Sequence, residues 1–427
     1  VLFMTRKIVV VACLSIAGGI AVFNAASPVT LAVPGRVNAN VSIASQDRFV
    51  VAAWSASTAD GSRTDIQTAV SRDGGQTFAA PVRVNSTAAE ARANGEQPPR
   101  VALAARAGGE PGITVFWVNR RGETTSLLTA LSVDGGRSFG APSVVPGTFT
   151  DGNRGWHSIA ADGDGALYGV WLDHRRLAAH QAAMPKAPAG THQHGGIDPN
   201  LSDLYFARMG ASATPRPLTS GVCYCCKTAM TASGGEVRLA WRHVFPGNHR
   251  DIAFAASRDG GRTFSAPVRV SEDRWAITGC PDDGPAMAVD REGRTHIVWP
   301  TVVTERGEMV KAIFYASTRD GRTFTARQRI PTMNQANHPQ IAVDRSGSLI
   351  VAWDESGDGS RRVVIARGAP TADGDVVFDR REWPGARPAS YPVLSTTGDG
   401  VLLAWSGGEP SNSVIRVEPI QERGASR

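Results

Sequence analysis

Lysine is nearly missing from this 427-residue chain, with four residues (Lys7, Lys186, Lys227, Lys311) against forty-one arginines. The formal charge of +6 is therefore carried by scattered arginine. No basic run tracks a phosphate backbone, which argues against a nucleic-acid partner. Arginine suits planar carboxylates and other oxyanions, so a small anionic ligand stays open. Amphipathic helical periodicity is also lacking over any useful length. Long apolar runs are confined to the N-terminal MTRKIVVVACLSIAGGIAVFNAAS, where Arg6 and Lys7 precede a short apolar stretch. That layout predicts an export signal over 1–26, the run being short for a membrane span. The expectation is one secreted or periplasmic domain over 27–427, monomeric and with no membrane span once the signal is removed. Cysteine is scarce too, with five residues, of which Cys13 falls in the signal.

What the chain does have is repetition. Segments ending at Trp54, Trp117, Trp171, Trp241, Trp299, Trp353 and Trp405 share one pattern, spaced by 63, 54, 70, 58, 54 and 52 residues. Each shows a short apolar strand, a Gly/Asp/Ser turn and a second strand alternating toward the tryptophan. A third strand follows, as in DIAFAASRDGG, and a fourth closes the unit, as in TFSAPVRV. Four short antiparallel strands per ~50 residues predict an all-β fold, a β-propeller. Seven blades are favoured, with six as the alternative. The last repeat has no good fourth strand, and SPVTLAV near the front would supply it and close the ring.

Three repeats carry SRDGGQTF (71–78), SVDGGRSF (132–139) and SRDGGRTF (257–264), and TRDGRTF (318–324) is a shortened fourth. These resemble the Asp-box, or bacterial neuraminidase repeat, of the sialidase-like superfamily of propellers, and the likeness runs from about residue 38 to 420. In the box Asp73, Asp134, Asp259 and Asp320 are read as structural, bonding the turn's own amides. Such turns lie on the face opposite the ligand-binding mouth.

Alternate turns of antiparallel strands sit at opposite ends, so the loops entering first strands and leaving tryptophan strands share one face. That face collects Arg154, Trp156, His157, Asp173, His174 and Arg175, with Arg242, His243, Asp283 and His338. These are the candidate ligand-binding residues, for a glycan or another small anion. The insertion 174–201 is long enough for a lid or binding loop.

The same face holds Cys223, Cys225 and Cys226 in the entry loop of the fourth repeat, and Cys280 at the equivalent place in the fifth. A bridge from Cys280 to one of the three is favoured in an oxidising compartment. The alternative is a soft-metal site for Cu(I) or Zn, drawing on the thiolates, His192 and His194, with His180 and Met184 nearby. CxCC with a later GCP resembles a group of exported bacterial sialidase-like proteins.

The superfamily resemblance implies an exo-glycosidase acting on sialic acid or another glycan, with a tyrosine nucleophile, a carboxylate and clamping arginines. SYPVLSTTGDGVLLAW resembles the segment carrying the tyrosine, making Tyr391 the nucleophile candidate beside Asp283. The family's Arg-Ile-Pro signature is absent from the first repeat, where Arg36 stands nearest. The alternative is a non-catalytic propeller that binds glycan, soft metal or a protein through the same mouth.

Overall fold

The computed structural model describes residues 28–420, apart from 88–89, 123, 184–197, 211–213, 278–280 and 371–374. The predicted export signal, Cys280, Met184, His192 and His194 lie outside the described residues. Seven antiparallel sheets follow one another around a ring, each led by an inner strand. Those strands are Val37–Gln46, Arg100–Ala104, Arg154–Ala161, Ala229–Ser233, Ala286–Val289, Gln335–Val343 and Ala389–Thr397. The chain is a seven-bladed β-propeller.

The seven tryptophans explain why the repeat folds this way. Each lies on the second strand of its blade and is at most 2% exposed. Each also packs into a cluster with the blade before it: Trp353 with Ile313 and Tyr315, Trp117 with Val51 and Ile66. Several indoles find an acceptor at the mouth end of the blade, from Trp54 to Asn38 at 3.0 Å, Trp171 to Asp173 at 3.3 Å and Trp353 to Glu355 at 2.9 Å. Ring closure follows the sequence expectation. Val29–Leu31 pairs antiparallel with Val414–Ile420 as the outer strand of the seventh blade, and Leu31 joins Trp54 in the cluster between blades seven and one.

On the face opposite the mouth, the turns before each outer strand tie themselves shut. Ser71 Oγ donates to Asp73 at 2.7 Å, and the Thr77 amide donates to the same carboxylate at 2.9 Å. The set recurs at Asp134 and Asp259, and in shortened form at Asp320. The Ser138 and Thr263 hydroxyls hold Asp134 and Asp259 well below the usual carboxylate range. Each of these carboxylates is thus bonded within its own turn. Gly75, at φ +92°, must be glycine, because a Cβ there would meet Leu402 at 2.6 Å.

Among the described residues one α-helix, Arg175–Ala183, leaves the third blade's tryptophan strand and buries no residue. No described helix is long and apolar enough to cross a membrane.

Removing one tryptophan should open a seam between two blades. Trp353→Ala is expected to lower unfolding free energy by about 3–5 kcal/mol, read as a lower denaturant midpoint.

Candidate functional site

The inner strands carry a device that aims side chains at the mouth. In four blades the register slips just after the strand begins: between Ala39 and Ser42, Gly155 and Ser158, Asn337 and Gln340, and Ser390 and Val393. Each slip holds one non-glycine residue with φ near +50 to +60°, namely Asn40, Trp156, His338 and Tyr391. Such bulges re-aim side chains, and left-handed backbone at a non-glycine residue is strained. In the second blade the inner position is split between Ala91–Arg92 and Arg100–Ala104, both paired to Gly112–Arg121. The residues between them form a loop carrying Gly95 and Glu96.

That loop meets the seventh blade. A Cβ on Gly95 would fall 1.8 Å from Tyr391 Cζ, so the tyrosine ring lies on the bare glycine. Tyr391 stacks on His338 with ring centroids 3.9 Å apart. The Asp354 carboxylate joins the two, accepting from His338 Nδ1 at 2.7 Å and from the Tyr391 amide at 2.8 Å. His338 Nε2 stands 3.6 Å from Glu96, and its backbone amide donates to Asp283 at 2.9 Å. Asp283, fully buried, is flanked by Lys311 Nζ at 3.2 Å and Lys227 Nζ at 3.6 Å. Two of the four lysines in the chain therefore converge on one carboxylate.

The surroundings drive the two buried acids apart. Burial alone would raise Asp283, but Lys311, Lys227 and His338 hold it ionised, well below the usual range. Glu96 is 3% exposed and neither of its carboxylate oxygens has a hydrogen-bond partner. Burial raises it to about 7, with the negative charges of Asp283 and Asp282 adding to the effect against Lys227 and His338. Tyr391 is pushed up to about 12 by burial and by the neighbouring Glu96 and Asp354. His338 keeps its proton above the ordinary histidine range, because Asp354, Asp283 and Glu96 outweigh the cost of its burial.

The sulfur cluster forms the other side of the mouth. Cys223 and Cys226 are buried free thiols with Sγ atoms 3.3 Å apart, and Arg250 Nη1 donates to Cys223 Sγ at 3.3 Å. The three cysteine sulfurs lie within 4.8 Å of one another. Trp156, Tyr224 and Val244 wall them in. The Cys226 hydrogen bond pulls the Cys223 thiol down to about 6, while burial pushes Cys226 up. Cys225 is engaged outside the free pair.

The remaining predicted residues are placed as follows. Arg154 is wholly buried and spends its guanidinium on Asp173, the Thr150 hydroxyl and the carbonyls of Thr125, Thr150, Asp151 and Gly152. Arg175 grips Asp173 and covers the Tyr205 ring at 4.6 Å. Arg242 donates to the carbonyls of Arg250, Pro300 and Asp283. All three arginines are occupied in holding loops. His157 bonds the Phe116 carbonyl at 3.0 Å, and burial lowers it to about 3. His243 accepts from the Trp241 indole at 3.4 Å. His174 lies between Trp156 and Tyr224, with Nε2 unpartnered and burial lowering it to about 4. Of the predicted residues, the structure brings together Asp283, His338 and Tyr391. Sequence reading missed Glu96, Asp354, Lys227 and Lys311. The rarity of lysine was the available signal for the last two, and nothing in NGEQPP singles out Glu96.

Glu96 gives a pH-dependent stability with a definite sign. Its folded value of about 7 exceeds the ordinary 4.5, so its favourable contribution is complete below 4.5 and is lost as pH rises through 7. The groups facing it are Lys227, Asp283, Asp282, His338, Arg100 and Tyr391. Glu96→Gln should match the wild type in urea unfolding at about pH 4 and exceed it by up to about 3 kcal/mol at about pH 8. Equal pH dependence in the two proteins would show that Glu96 ionises freely.

No protein-family model and no curated protein matches the chain. Solved structures do share its architecture. A PL25 ulvan lyase bound to -[GlcA(1-4)Rha3S]- aligns over 91% of this chain and 92% of its own, with TM-score 0.52 and 10% identity. Polysaccharide lyase Uly1 aligns over 91% of each chain, with TM-score 0.51 and 11% identity. The α-L-arabinofuranosidase Arb93A of Fusarium graminearum, solved with an iminosugar inhibitor, aligns over 92% of this chain and 97% of its own, with TM-score 0.50 and 12% identity. The likeness at these identities is one of fold.

Proposed function

We propose that this protein is an exported, sialidase-like propeller that acts on glycans through the mouth, with Glu96 as proton donor to the glycosidic oxygen. The arrangement that carries the reading is one buried cluster in which Glu96 has neither carboxylate oxygen partnered and is raised to about 7, while Asp283 stands between Lys227 and Lys311 and is held ionised. Carboxyl groups whose surroundings separate their proton affinities are the pattern of acid–base glycoside cleavage. Solved neighbours that bind an acidic oligosaccharide or an iminosugar support a carbohydrate ligand.

The residue roles differ from those the family resemblance implies. A tyrosine nucleophile needs its proton removed, and Tyr391 holds its proton to about 12. In this pocket it serves as a neutral hydroxyl that donates to substrate, backed by the His338 ring. Asp283, locked between two lysines, acts as a fixed charge. Arg154, Arg175 and Arg242 are spent on their own loops, so a sugar carboxylate would be met by Arg361, which is half exposed at 3.6 Å from Asp354. Sialic acid is one such acidic sugar, and uronic acid is another. The reading also takes Cys225, the one sulfur of the three that is not free, as the partner of Cys280 in a bridge between the fourth and fifth blades.

A second reading, a propeller that binds glycan without cleaving it, is favoured by burial. Glu96 is 3% exposed and Asp283 0%, so a sugar must move cover to reach them.

A panel of fluorogenic sialoside, arabinofuranoside and glucuronide substrates, with a lyase assay on uronate polysaccharides, tests the reading. With an active substrate, Glu96→Gln should lower kcat/KM by roughly 10²–10⁴ and remove the alkaline limb of the pH profile near 7. Tyr391→Phe should cost much less. An equal loss in Tyr391→Phe would restore the tyrosine to the nucleophile's role, and glycan binding without turnover across the panel would establish the second reading.

A further inference from the structure

The sulfur side of the mouth takes no part in that chemistry, and its construction is not that of ordinary core. Cys223 and Cys226 are each 1% exposed, yet Cys223 receives a guanidinium hydrogen bond from a buried arginine. A neutral thiol is a weak acceptor, whereas a thiolate is a strong one. Placing a cation against sulfur away from water is costly unless that sulfur bears negative charge. The two cysteines are three residues apart, and their sulfurs already face each other at 3.3 Å. Around them the Tyr224 hydroxyl and Arg250 Nε have no partner.

We infer that Cys223 and Cys226 form a two-thiolate site for a soft monovalent cation, Cu(I), with Arg250 as its counter-charge. The charge count selects the ion. Two thiolates and one monovalent cation sum to −1, which the Arg250 guanidinium balances. A divalent ion would leave the cluster neutral, with Arg250 unpaired beside it. Zinc also asks for four ligands in a tetrahedron, and Cys225 is engaged elsewhere. Thiolate is the ligand that soft Cu(I) selects. Binding is a ligand exchange without redox change: each sulfur gives a lone pair to the metal, and protons held by the thiols pass to solvent. The Sγ–Sγ separation must widen to admit the ion.

The test is an anaerobic titration of the full chain, with Cys223 and Cys226 free and the engagement of Cys225 left intact, with Cu(I) against the chromogenic chelator bicinchoninate. One Cu(I) per chain is expected, with affinity lowered at least about a hundredfold in Cys223→Ser and in Cys226→Ser, and rising with pH in the wild type. Arg250→Gln should weaken binding less than either serine variant. Glu96→Gln should bind like the wild type, so the outcome is independent of the proposed glycan chemistry. Copper-edge absorption on the wild-type complex gives a second reading that needs no variant, and two sulfur ligands are expected. Undiminished Cu(I) binding by the double serine variant, preferential retention of Zn(II), or a copper shell dominated by nitrogen would overturn the assignment.

Discussion

The mouth exists because the ring closes. Val29–Leu31 supplies the outer strand of the last blade, and its pairing with Val414–Ile420 joins the two ends of the described chain. That contact lets Tyr391 of the seventh blade lie against Gly95 of the second. It also lets His338 of the sixth reach Glu96 of the second. An open arc of the same blades would leave these residues at a distance and exposed. The tryptophan seams hold the arc's curvature, since each indole sits in the cleft behind its own blade rather than within it.

Electrostatics inside the mouth depend on choosing lysine where the rest of the chain chooses arginine. An arginine at 227 or 311 would bring a planar fork that seeks two oxygens at once. Two compact ammonium groups instead meet Asp283 from different blades, each near one oxygen. Asp283 stays ionised, and its fixed negative charge is part of what keeps Glu96 protonated. The neutral acid is thus a consequence of burial, which outweighs the opposing charges of Lys227 and His338, with Asp283 offsetting part of that opposition.

The repeats, blade count, opposite-face aspartate turns and closing strand were legible because each is a local pattern recurring at a fixed phase. Position i+2 after the tryptophan was legible only in part. Asp173 and His243 stood out as charged or titratable mouth residues, but there they cap the indole of Trp171 and Trp241. Arg154 and Arg242 read as oxyanion clamps because free carbonyls leave no trace in a sequence, and carbonyls are what they bind. Glu96 was invisible for the opposite reason. It lies in an irregular break of an inner strand, and its character comes from burial among Lys227, Asp283 and His338, all distant in sequence. His338 and Tyr391 share a detail that could have been weighed more heavily, since each precedes a proline at the start of an inner strand, as HP and YP.

Asp283 also links the two halves of the mouth. Its carboxylate is bound by Lys227, the residue after Cys226. One loop therefore positions both the sulfur pair and the lysine that balances Asp283, so a change in its backbone would move both sites while each keeps its own chemistry. The entry loop of the fourth blade is where the two meet, since it carries the free thiols Cys223 and Cys226 and, next in the chain, the lysine that faces Asp283.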